Sequence, residues 1–257
     1  MNAGTPPSNV PHSSASVPPG EGAGTSPKVY LIPSVLDEAV THTIPGYVIE
    51  AVKQCKVFFV ENERSARRFL KSIWREMVID DYVWVAIHKA EAQVKNQFMQ
   101  HLKNGRNIGI ISEAGCPGVA DPGQMLVGVA HENNAVVIPL VGPSSILLAL
   151  MASGLNGQQF QFVGYLPIDN VERSKTIKQL EADSQKKRCT QIFIETPYRN
   201  NQLLETLLKT CGGQTSLCIA TDITSANESI RTKTISQWKK SLPDLHKHPT
   251  VFLMLAG

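Results

Sequence analysis

Residues 107–123 read NIGIISEAGCPGVADPG, from Asn107 to Gly123. The first five residues form a short apolar run that predicts a buried strand over Asn107–Ile111. The run leads into a loop with three glycines and two prolines. Glycine lets a backbone approach a ligand closely, and proline stiffens the path. A helix is expected after Gly123, over Met125–Glu132, and its start offers unpaired N–H groups. A strand, a glycine-rich turn and a helix in that order are the repeating unit of an α/β fold.

The same alternation extends in both directions. Strands are expected at Lys28–Ile32, Lys56–Val60, Tyr82–Ile87 and Ala135–Leu140. Helices are expected at Tyr47–Lys53, Ser65–Trp74 and Glu91–Lys103, where apolar residues recur at helical spacing. A second series has helices at Ser144–Ala152, Glu172–Ala182 and Asn200–Lys209. Its strands are Phe160–Tyr165, Thr190–Glu195, Leu217–Thr221, Ser229–Ile235 and Val251–Leu255. The class is α/β with mainly parallel sheets. Little helix separates the last strands, so Leu217–Ile235 is expected to be partly antiparallel. The joint between two halves is placed at Gly142-Pro143, giving domains over 28–141 and 142–257.

Composition narrows the setting. The chain has 257 residues, 42% hydrophobic and 18% charged, with a formal net charge of +3. This mild excess permits a polyanionic partner without requiring one. The longest apolar run, Ile146–Ala152, is far shorter than the roughly 20 residues of a membrane span. Residues 1–27 hold six prolines, four glycines and five serines but no Lys or Arg, and read as a disordered tail rather than a targeting signal. Five cysteines without a C-x-x-C pair fit a reducing cytoplasm. His246 and His248 lack further ligands nearby in sequence, and no metal site is expected.

Ligands of open α/β sheets bind beyond the carboxyl ends of the strands. Four such loops stand out. Ser112–Gly123 suits a ligand held by backbone groups, with acidic side chains for an amine or ribose, or else a rigid connection in which Ser112 or Asp121 caps a helix. Val141–Ser145 sets Ser144 and Ser145 at a helix start, where an N-cap is the simplest reading. Glu195 follows a strand and either accepts a proton or pairs with Arg199. Glu61 and Glu63 lie beyond another strand end with Arg64. Cys116 has no partner in sequence that would mark it as a nucleophile.

Together these blocks resemble one family. Gly105–Gly123 follows the pattern G-x-N-[IV]-x-x-[IV]-S-[DE]-A-G-x-P-x-x-x-D-P-G. Ile138–Ser144, Gly164–Pro167 and Ile192–Arg199 match the subsequent V-P-L-x-G-P-[SC], G-[FY]-L-P and I-F-x-E-[ST]-[PH]-x-R. The chain resembles the tetrapyrrole-methylase superfamily, in the branch that includes the small-subunit methyltransferase I type acting on a ribose 2′-hydroxyl of 16S rRNA. The resemblance implies two α/β/α domains with S-adenosylmethionine in the cleft between them, and a homodimer. It implies cofactor contacts at Ser112, Glu113, Ala114, Gly115 and Val119, at Ser144 and Ser145, and at Ile194, Ala220 and Thr250. Ribosomal RNA or the small ribosomal subunit is the expected partner, with no membrane. Glu195 and Glu61 are the candidate proton acceptors.

The chain departs from the family in three places. Pro33–Ala39 lacks the glycine of P-T-P-I-G-N-L, Glu61-Asn62-Glu63-Arg64 replaces E-D-T-R, and Ala220–Ser225 lacks both basic residues of A-R-E-L-T-K. Fewer cations there weaken a grip on RNA phosphate. The porphyrin-type motifs G-x-G-P-G-D and G-G-D-P are absent. The pattern is that of a divergent subgroup, which leaves open a methyltransferase of another substrate and a non-catalytic module that binds the cofactor.

Overall fold

The computed structural model describes residues 26–87, 91–121 and 123–257. Of the expected tail, only its last two positions lie inside these bounds. Two five-stranded sheets follow one another along the chain.

The first sheet has the order β3-β2-β4-β1-β5, with β1 Lys28–Ile32, β2 Val57–Val60, β3 Val83–Ala86, β4 Ile108–Ile111 and β5 Val136–Pro139. Every pairing is parallel. The central strands VFFV and IGII are buried at every position, as expected for strands covered on both faces. Helices α1 (Tyr47–Gln54) and α2 (Glu63–Ile73) pack on one face through Val48, Val52, Phe69 and Leu70. Helices α3 (Glu91–Lys103) and α4 (Gln124–Glu132) pack on the other through Val94, Phe98, Leu126 and Val129. Gly109 lies where an added Cβ would meet Phe58 at 2.6 Å and Ile32 at 2.7 Å.

The connections create a switch point. From β1 the chain passes through α1 to β2, on one face. From β4 it passes through α4 to β5, on the other. Since β1 and β4 are neighbours, the loops at their carboxyl ends diverge and leave a crevice between them.

The second sheet has the order β6-β7-β10-β8-β9, with β6 Phe160–Tyr165, β7 Thr190–Ile194, β8 Ser216–Thr221, β9 Ser229–Thr234 and β10 Thr250–Leu255. The antiparallel pairing expected within Leu217–Ile235 is present, and it extends further than expected, so that the mainly parallel character belongs to the first sheet. Only β6 and β7 run parallel; β7–β10, β10–β8 and β8–β9 are antiparallel. For β8–β9 the reason is connection length. The β8–β9 link is too short for a crossover helix, so the two strands must form a hairpin-like pair. Helix α5 (Ser145–Ser153) covers one face through Ala149 and Leu150. Helices α6 (Asn170–Lys187), α7 (Asn200–Thr210) and the short α8 (Ile235–Trp238) cover the other.

Helix ends follow local chemistry. The Asn62 side chain accepts from the N–H groups of Arg64 and Ser65 and starts α2. Asp169 does the same for α6. That helix begins two residues before, and ends five after, the expected Glu172–Ala182. Its last turn is polar and its first holds one exposed apolar residue, Val171, so neither carries an apolar period to mark it. Among the described residues, no helix is long and apolar enough to cross a membrane.

Candidate functional site

The crevice is closed at its base by paired loops. Ser34, after β1, and Gly115, after β4, exchange backbone hydrogen bonds of 2.8 and 3.2 Å. The Ser34 hydroxyl donates to the Ser112 carbonyl at 2.8 Å. Gly115 adopts φ +74°, a left-handed conformation that glycine takes without a steric cost. Beyond it, Asp121 Oδ1 accepts from the N–H groups of Gly118 at 2.9 Å and Gly123 at 2.7 Å. This pins the loop just before α4.

The second half meets the first at Gly142–Ser145. Gly142 lies against Pro33, and an added Cβ would stand 2.1 Å from its ring. The Cys116 thiol lies 3.5 Å from the Pro143 carbonyl. Burial, then the Asp121 charge, pushes this thiol above its ordinary value, so it stays protonated and is a poor nucleophile. Ser144 caps α5 through the Leu147 N–H.

A cavity of ≈ 480 Å³ opens between the halves, a size suited to a small-molecule ligand. Ala114, Gly115, Val119, Ser144, Ser145, Ile194 and Thr250 line it, as do Glu61 and Glu195. Three expected contacts are elsewhere. Ser112 is buried beneath the loop, with its hydroxyl near the Ala114 and Gly115 carbonyls. Glu113 turns towards α2, where Ser65 Oγ donates to it at 3.2 Å. Ala220 is enclosed in the sheet core opposite Val251.

The structure adds lining residues that the sequence does not single out as contacts: Asp37, Asp121, Tyr165 and Asp222. Asp121 stands within the quoted glycine-rich loop, whose acidic side chains the sequence reads either as groups for an amine or ribose or, at Asp121, as a helix cap. Asp222 gives no local signal, because its role depends on His248, whose Nδ1 lies 2.5 Å from Asp222 Oδ2. Five carboxylates thus line the cavity, and no described lining residue is Lys, Arg or His. Two of their oxygens, Asp121 Oδ2 and Glu195 Oε2, are buried without a hydrogen-bond partner among the described residues. Such an arrangement is costly unless a ligand supplies donors. Apolar walls from Leu36, Ile146, Ile223 and Val251 suit a flat ring.

The two candidate proton acceptors differ. Burial raises the Glu61 carboxyl; the Glu113 N–H, donating to its Oε2 at 2.6 Å, opposes this, and the Asp121 and Glu113 charges add to it. The net direction is upward. Burial would also raise Glu195, but Arg199 at 2.6 Å and the Thr196 N–H at 2.6 Å outweigh it and hold this carboxyl below its ordinary value. Of the two roles the sequence allows Glu195, the structure therefore shows the pairing with Arg199.

The sequence model of the family described as Tetrapyrrole (Corrin/Porphyrin) Methylases matches residues 44–238. The chain is 37% identical over 134 residues to the Ribosomal RNA small subunit methyltransferase I of Mesorhizobium japonicum, covering 52% of this chain and 44% of that protein. With the protein of the same name from Vibrio cholerae it is 35% identical over 147 residues, 57% of this chain and 50% of the relative. With that of Bacillus subtilis it is 28% identical over 209 residues, 81% and 68%. The chain spans about half the length of the first two relatives. Two solved structures share the fold. The methyltransferase CobJ superposes with a TM-score of 0.60 at 16% identity, covering 90% of this chain and 93% of the other. Uroporphyrin-III-C-methyltransferase from Thermus thermophilus gives 0.52 at 14% identity, covering 90% and 92%.

Proposed function

The chain belongs to the tetrapyrrole (corrin/porphyrin) methylase family, and from that premise we propose that it is an S-adenosylmethionine-dependent methyltransferase whose acceptor is a ribose 2′-hydroxyl of small-subunit ribosomal RNA. The observation that carries the reading is the cavity at the β1/β4 crevice, with its unpartnered buried carboxylate oxygens and no described cation in its lining. The substrate class follows the names of the relatives. We place the protein in the cytoplasm on the same ground.

The residues present fit the donor. Its ammonium and ribose hydroxyls are donors for Asp121 and Glu195, and its adenine suits the apolar walls. When bound, it supplies an electrophilic methyl group on a sulfonium. The loop Ala114–Gly115 and the Ser144–Ser145 turn would hold and orient it, with Val119, Ile194 and Thr250 among the lining residues that would enclose it. Ser112 and Ala220 lie buried behind the cavity wall, and Glu113 holds Glu61 through its N–H. Alignment of donor and acceptor with water excluded supplies much of the rate. Glu61, raised by burial, is the better matched proton acceptor for a sugar hydroxyl. Glu195, held low by Arg199, stays ionised and binds rather than accepts a proton.

A homodimer is part of this reading. Helix α5 is apolar on every side, yet Leu147 is 50% and Met151 79% exposed, one turn apart. A helix of that composition is normally covered.

The test is transfer of labelled methyl from S-adenosylmethionine into a lysate of cells lacking the protein, fractionated into RNA, protein and small molecules. Label in small-subunit rRNA is the expected result. Label in another fraction would keep the methyltransferase and reject the RNA acceptor. Cofactor binding without transferred label would reject the enzyme.

A further inference from the structure

The mouth of the cavity carries a chemistry that its interior lacks. Tyr165 ends β6, in register with Ile194 of the parallel strand β7, and Tyr198 lies in the loop directly after β7. Two adjacent strands thus deliver two phenol rings to the same end of the sheet. Of the protein's five tyrosines, these are the most exposed, at 59% and 71%. Tyr165 lines the cavity. The Tyr198 ring meets His246 edge-on, with centroids 5.9 Å apart, a contact that leaves most of the ring in solvent. Directly after Tyr198, Arg199 is fixed to Glu195.

Charge limits what can enter. The carboxylates of the lining repel phosphate. Cations stand outside, on α2, which starts two residues after Glu61. Arg64, Arg68 and Lys71 are exposed on one face of that helix, spaced by four and three residues, with Arg68 shared with Glu38. A nucleotide approaching this cavity is driven to keep its phosphates outside and to present its uncharged parts. Exposed aromatic faces beside such an entrance bind bases by stacking, whatever the base. A base inside a helix has both faces occupied, so only an unpaired or extruded one can take up this contact.

We propose that Tyr165 and Tyr198 form a stacking platform for an unpaired nucleobase of the acceptor strand, so that the site selects a nucleotide presented single-stranded. The inference rests on the RNA reading above and adds how the substrate must be presented. The test uses the full chain and a labelled oligoribonucleotide, free or annealed to its complement, followed by fluorescence anisotropy. The single strand is expected to bind at least about tenfold tighter than the duplex, and Tyr198→Ala to weaken single-strand binding about tenfold. Tyr198→Phe is expected to bind like the parent. Neither variant should alter S-adenosylmethionine binding by calorimetry, which also reports folding, nor the slope of affinity against salt. Equal binding of single strand and duplex, or parental binding by Tyr198→Ala, would overturn the platform while leaving the methyltransferase reading intact. A parent protein that binds neither RNA overturns the RNA reading and the platform with it.

Discussion

Ser34 and Gly115 exchange both of their backbone hydrogen bonds, and so lock the loop after β1 to the loop after β4 at the point where the sheet's connections part. This pair is the hinge pin of the cavity floor, which leads to a prediction about both residues. Ser34→Ala removes the hydroxyl bond to the Ser112 carbonyl and is expected to cost about 1 kcal/mol. Gly115→Ala adds a Cβ that meets neighbours only at 3.4 Å, so its cost, about 1 kcal/mol, comes from the left-handed backbone. Thermal unfolding measures both. Donor affinity should fall further in Gly115→Ala than this stability change accounts for, because the residue lines the cavity.

The opposite shifts of Glu61 and Glu195 give a pH dependence. A carboxyl raised by burial keeps its proton above the ordinary glutamate range, so its basic form appears only above that raised value. Methyl transfer should therefore rise with pH along an acid limb lying above the ordinary glutamate value. Glu61→Gln should abolish that limb and lower turnover by roughly 10²-fold. Donor binding by the variant should persist. A limb that survives in Glu61→Gln would remove this residue as the proton acceptor. Stability moves the other way: the raised carboxyl costs folding energy as pH climbs from the ordinary value through the raised one.

The contrast between the two halves explains what the sequence made legible. In residues 28–139, short apolar runs alternate with helices whose apolar faces recur every three to four residues, and each element of the first sheet appears within two residues of its expected place. Direction was harder. A run such as Thr190–Ile194 has the same residues whether its neighbour runs parallel or antiparallel, and β7 takes one of each. The site divides in the same manner. Loop residues with an unusual backbone, such as Gly115, announce themselves. Asp222 and Tyr198 depend on partners from other elements, His248 and His246, which no local pattern connects.

Exposure on α5 makes the proposed homodimer measurable. Leu147 and Met151 sit one turn apart on its uncovered side, away from Ala149 and Leu150, which pack on the second sheet. Met151→Lys places a charge in whatever covers this face, and burial of an unpaired charge is costly. The expected outcome is a parent that sediments as a dimer and a variant that dissociates at micromolar concentration. Because Met151 is 79% exposed in the single chain, the variant's fold should be unaffected. A monomeric parent would reject the homodimer, and a variant that stays dimeric would move the interface elsewhere.

Asp121 offers the sharpest test of how the cavity holds its donor. One oxygen is committed to the Gly118 and Gly123 N–H groups, while the other is buried, unpartnered among the described residues and part of the lining. Asp121→Asn keeps an oxygen for both N–H groups, so the turn before α4 should persist. The substitution removes the negative charge and the free acceptor. A hydrogen bond to a charged group is worth about 1.5–3 kcal/mol, so donor affinity should fall roughly 10- to 100-fold. Asp121→Ala should show the same loss together with a lower unfolding temperature, since both turn bonds go with the side chain. Either change should lower the raised values of Glu61 and Cys116, because the Asp121 charge contributes to each. An acid limb of the pH profile displaced to lower pH in Asp121→Asn would connect the binding carboxylate to the catalytic one. Unchanged donor affinity in Asp121→Asn would show that this oxygen does not meet the donor.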